Sequence, residues 1–260
     1  MTRFYDAGHG KVLQFERLLV DEANMTAEEM EAVLREPKLA HGMLGWLREQ
    51  LNPPVPQPSY TPVADYVDRI MARSELRGWG LTANHADGLW QQLEGINHAG
   101  PLSPVGVRIW LGKTLEHNWA ETLAWLEDTA KEQGLEYYKY FDSVPEFRPG
   151  SEIKGKASLR AVGLDLSLWN PQGGIVPNDE FPNLPSWPSL EVPQLLCLNP
   201  ELMHAMDGEN FPFLMSSGLV VEGFSVPSFD RDGQKLSVGY GWPVNRWHFR
   251  AMVRPRELQS

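Results

Sequence analysis

Histidine and asparagine lie side by side, or one residue apart, three times within Leu81–Leu123, around His85, His98 and His117. Imidazoles gathered in this way could hold a metal ion or move a proton. The intervals between them, thirteen and nineteen residues, match no zinc signature, and no H-E-x-x-H or His/Cys set accompanies them. An EF-hand register fares no better: with Gly100 at the glycine position, the ligand positions fall on Gly95, Asn97, Ala99 and Gly106, and only Asn97 offers a side-chain oxygen. No metal is expected here. Helix capping gives the same residues another role. Asn84 with Asp87, Ser103 with Pro104, and Asn118 with Glu121 each have the form of a helix start. The spacing therefore predicts three capped helices, with His85 in a first turn, His117 just before a cap and His98 in the loop after Gly95.

Two further groupings could carry chemistry. His204 and Asp207, with Glu201 one turn before His204, follow the apolar stretch that holds Cys197, which is the nearest approach to a nucleophile, a base and an orienting group. Cys197 sits among leucines in QLLCLNP, where burial makes a thiol inert. A small hydrolase or metal-dependent enzyme using His204 and Asp207 is thus the alternative reading. Ser151–Lys154 fits S-x-x-K without its companion motifs, and no G-x-S-x-G elbow, P-loop or G-x-G-x-x-G is present. Asp230 and Asp232 start like a calcium loop, but Gly233 follows at once and makes a hairpin turn the better reading.

The second grouping is C-terminal. Trp242, Arg246, Trp247 and Arg250 place aromatic rings beside guanidinium groups in an otherwise acidic chain. Such pairs are favoured anchors for a protein or a small acidic ligand, and they form the expected binding surface. A formal charge of -11 works against nucleic acid. The would-be recognition helix among the three capped ones offers only Arg108 and Lys113, surrounded by Asp87, Glu94, Glu116, Glu121, Glu127 and Asp128.

The elements that must position these residues change character along the chain. Residues 1–52 read as a helical cluster, with Val12, Phe15, Leu18 and Leu19 at helical spacing, a T-x-x-E box at Thr26 and Glu29, and a third helix carrying Leu39, Met43, Trp46 and Leu47. Residues 53–62 read as a proline-rich linker, since NPPVPQPSYTP cannot continue a helix. Residues 63–134 read as a helical region, opened by a helix with Val63, Tyr66, Ile70 and Met71 on one side. Residues 135–260 read as a strand-rich domain. Its strands are expected over Leu159–Leu166, Gln194–Leu198, Leu219–Val221, Val226–Phe229, Lys235–Tyr240 and Trp247–Val253, with a hairpin at DRDG. A short helix interrupts them, capped by Asn199 ahead of Pro200 and stopped at Gly208. The fold class is α+β, with a helical N-terminal half and an antiparallel, strand-rich C-terminal half.

Composition agrees with a packed, water-soluble chain. It is 42% hydrophobic and 22% charged, with ten tryptophans, and no apolar run is long enough for a signal core or a membrane span. The single cysteine admits no intrachain disulfide, which suits a reducing, cytoplasmic compartment. GPLSPVGVRIWLG with NWAETLAWL, and AMDGENFPF with FDRDGQKLSVGYGW, resemble proteins of small-genome, candidate-phylum bacteria that pair a helical first part with a strand-rich end. The resemblance implies a bacterial cytoplasmic setting and carries no activity, so it transfers no functional residue. The sequence thus points to a non-catalytic binding protein without a cofactor.

Overall fold

The computed structural model describes Thr26 and residues 59–168, 188–208, 211–221, 225–241 and 250–258. The chain divides into two compact units, Met1–Val55 and Pro56–Ser260. The helices expected between Lys11 and Leu47, and residues 53–58 of the expected linker, lie outside the described residues. In the second unit a 3-10 turn at Val63–Asp65 leads into α1, Tyr66–Arg77, and α2 follows over Ala83–Leu93. Then come β1 (Val105–Trp110), α3 (Leu115–Glu132), β2 (Glu136–Lys139), β3 (Glu146–Phe147) and β4 (Ser158–Leu168). The chain continues through α4 (Glu191–Leu198), α5 (Glu201–Ala205), β5 (Phe213–Met215), β6 (Leu219–Val220), β7 (Val226–Asp232), β8 (Lys235–Gly241) and β9 (Arg250–Arg256). The fold is α+β, as the sequence predicts.

Seven strands form one sheet in the order β1-β4-β9-β5-β7-β8-β2, and β3 pairs with β6 separately. The pairings are antiparallel except β5 with β9 and β2 with β8. α2 packs on β4, α4 on β1, and α3 on both α4 and β2. The core between helices and sheet is built from side chains with almost no exposure, among them Tyr66, Ile70, Leu89, Leu126, Leu164 and Phe229. Among the described residues, no helix is long and apolar enough to cross a membrane.

Several expectations need correction. The middle capped helix is strand β1: Val105, Val107 and Ile109 alternate, and all six residues pair with Gly163 to Ser158 of β4. Arg108 is therefore on a strand. Gln194–Leu198 is helical, because a short apolar run reads the same whether it fills a buried strand or a helix enclosed on every side. Asn199 closes α4 instead of opening α5, and its buried amide bonds to Tyr66 and to the Thr61 amide. Tyr60 and Thr61, expected in the linker, are part of the packed unit: the Tyr60 hydroxyl donates to the Pro101 carbonyl at 2.6 Å. The caps of α2 and α3 are Thr82 and Thr114, so Asn84 and Asn118 lie inside their helices. The hairpin of β7 and β8 turns at Gly233 and Gln234, between the paired Asp232 and Lys235, with Gly233 at φ +57°.

Candidate binding site

The rings of His85 and His98 are held by backbone groups, whereas His117 takes part through its own amide. The Thr82 amide donates to His85 Nδ1 at 3.1 Å, while Nε2 of the same ring lies 3.2 Å from the Ala157 carbonyl. The His117 amide donates to Thr114 Oγ1 at 3.3 Å. His98 spans two segments: Nδ1 accepts the Val105 amide and Nε2 donates to the Thr61 carbonyl, both at 3.0 Å, with Tyr60 stacked on the ring at 4.5 Å. Burial holds its pKa below the usual value, and Arg256 pushes the same way. No group of three or more His, Cys, Asp or Glu placed to hold a metal exists among the described residues.

His98 belongs to a set that covers the free edge of β1. That strand ends the sheet, so one row of its amides and carbonyls lacks a neighbouring strand. Polar side chains replace one. The Tyr66 hydroxyl donates to the Val105 carbonyl at 3.0 Å. Gln194 accepts the Ile109 amide at 3.0 Å and donates to the Ile109 carbonyl at 2.9 Å. Asn118 accepts the Leu111 amide at 2.8 Å.

The sequence-predicted site residues do not come together among the described residues. Trp242, Arg246 and Trp247 lie outside them. Arg250 grips Asp230 with Nε and Nη2, at 2.9 and 2.6 Å, and its side chain is 13% exposed. On the same strand Arg254 bonds to Asp165 at 2.7 Å, and Arg256 donates to the Ser103 carbonyl at 2.9 Å. His204 is exposed at the end of α5, with its carbonyl taken by Arg231. Asp207 Oδ1 accepts the Phe211 amide at 3.1 Å, which closes the turn after α5. Cys197 is buried, and desolvation pushes its thiol pKa up, away from thiolate chemistry. Arg108 pairs with Glu191, which also accepts the Ser189 amide at 2.7 Å.

A group that the sequence reading missed has the chemistry of a binding site. Between α1 and α3, above the end of α4, lies a cleft of about 410 Å³. One wall is the i, i+3, i+4, i+7 face of α1, Arg69, Ala72, Arg73 and Leu76, and Trp125 of α3 stands opposite. The Arg73 side chain is only 6% exposed and has one ion-pair partner among the described residues: Nη1 pairs with Asp128 at 2.8 Å. Its Nε and Nη2 are buried with no hydrogen-bond acceptor. Nearby, the Tyr137 hydroxyl of β2 is also buried without a partner, and both groups are within electrostatic reach of Cys197.

Leaving a charged group's donors buried and unpaired costs about 1–3 kcal/mol for each group or more, so such a group is a mark of a missing partner. The signal in the sequence was an arginine on the stripe that otherwise buries Tyr66 and Ile70. A second cleft, about 570 Å³, runs past Val63, Leu93, Ile96 and the half-exposed Trp90, and none of the residues that line it has a buried side-chain donor or acceptor without a partner. No protein family, curated protein or solved structure matches this chain.

Proposed function

We propose that the chain is a non-catalytic, cytoplasmic binding protein that takes a small acidic ligand in the cleft between α1 and α3. The observation that carries this reading is the buried Arg73 guanidinium, which has two donors without acceptors and lines a cleft of small-ligand size. The binding surface expected at Arg250 is less favoured, since that guanidinium already holds Asp230. Equilibrium dialysis of the purified protein against a bacterial metabolite extract, followed by mass spectrometry, tests the proposal. An acidic small molecule is expected to be enriched, chemically unaltered, by the wild type and not by Arg73→Met. Absence of any enrichment would refute binding, and conversion of the enriched molecule would make the protein an enzyme.

A further inference from the structure

The Nε/Nη2 edge of arginine is the fork that meets a carboxylate with two parallel hydrogen bonds. Among the described residues this edge is used twice internally. Arg77 holds Glu121 with Nε at 3.0 Å and Nη2 at 3.1 Å, and Arg250 holds Asp230 in the same manner. In Arg73 the same two atoms are buried and have no hydrogen-bond partner.

The surroundings discriminate between oxyanions. The charged groups at the cleft are Arg69 and Arg73 against Glu132, Glu201 and the Asp128 already on Nη1. A doubly charged phosphate would add two more negative charges beside three carboxylates, whereas a carboxylate adds one. The rest of the lining contains apolar surface: Ala72, Leu76, Trp125 and Pro200. Leu76 is 75% exposed, while Trp125 on the opposite wall is nearly buried. Nε and Nη2 are themselves covered, so a ligand reaches them only after side chains at the cleft wall rotate.

We infer that the ligand of the Arg73 cleft is an organic monocarboxylate with an apolar body, its carboxylate on the Nε/Nη2 edge and its body between Leu76 and Trp125. This rests on the binding function proposed above and narrows its ligand class. Isothermal titration with phenylacetate, hexanoate and inorganic phosphate tests it on the full chain. Phenylacetate or hexanoate is expected to bind at least tenfold more tightly than phosphate. Arg73→Lys, which keeps the charge and loses the fork, is expected to weaken the carboxylate at least tenfold. Leu76→Asp, at a position exposed enough to leave folding intact, should weaken it as well by adding a carboxylate where the apolar body rests. Equal or tighter binding of phosphate, or carboxylate binding indifferent to both substitutions, would overturn the inference. If neither carboxylate binds while dialysis still enriches an acidic molecule through Arg73, the ligand class is wrong and the binding function stands. If both experiments are blank, both fall.

Discussion

His98 shows how far a residue's role can move once its partners are known. Its place in a loop between Gly95 and Pro104 was legible, but its acceptor and donor duties were not, because Thr61 and Val105 reach it only through folding. The geometry requires one protonated nitrogen and one lone pair, and a second proton would remove the acceptor for the Val105 amide. The sign of the pH effect follows. The folded pKa lies below the ordinary 6.5, so the unfolded chain takes up the proton first as pH falls. The contribution of His98 to stability is complete above about pH 6.5 and is lost progressively below it. Urea unfolding at a series of pH values should show that decline in the wild type, and His98→Gln should flatten it while lowering stability at pH 7.5 by about 1–3 kcal/mol. An unchanged acid limb in the variant would assign the titration elsewhere. Arg73 makes the opposite forecast. Replacing a buried, half-satisfied guanidinium with methionine should leave stability equal or raise it by up to about 2 kcal/mol, whereas a merely structural arginine would lose stability on the same change.

At the scale of elements, the strands and helices whose pattern is local were readable, and those fixed by their neighbours were not. The 3-10 turn and α1 follow Pro62 in succession with Val63, Tyr66 and Ile70 buried, and the β7–β8 hairpin closes where a glycine supplies positive φ. β1 resembles a helix in sequence because Ser103 and Pro104 imitate a helix start, and because Trp110 and Leu111 extend an alternating Val105, Val107, Ile109 pattern into an apolar run. Its edge also explains polar residues that the sequence left without a structural purpose. Gln194 is 2% exposed and holds both backbone groups of Ile109. Gln194→Leu keeps the volume and strands an amide and a carbonyl, so a loss of roughly 3 kcal/mol is expected, with faster amide hydrogen exchange at Ile109. Normal protection at Ile109 in that variant would mean another group covers the edge. The pairing of β4 with β9 depends on a close backbone approach: a Cβ at Gly163 would lie 2.5 Å from the Arg256 carbonyl oxygen.

Over the whole molecule, the division into a helical half and a strand-rich half holds for content but not for connectivity. β1, from the helical half, pairs with β4, and the last strand of the chain enters the middle of the sheet. β9 lies between β4 and β5, antiparallel to one and parallel to the other, with Gly163 opposite Arg256 and Phe213 opposite Arg250. No periodicity announces such a placement, because a strand's neighbours are chosen by contacts far away in sequence. Its consequence is that β9 joins two parts of the sheet that share no other strand pairing among the described residues: β1 with β4, and β5 through β2. The helices that build the Arg73 cleft inherit that dependence, since α4 rests on β1 at one end of the sheet and α3 on β2 at the other. Ending the chain after Gly241 should therefore abolish cooperative unfolding and, with it, ligand binding in the cleft. Val253→Asp, which puts a charge at a fully buried position of β9, should act in the same direction without shortening the chain. Circular dichroism melts of both variants, read beside carboxylate titrations, make the check. A truncated chain that keeps a single sharp transition and full affinity would show that the sheet does not need β9 to hold the two helices in place.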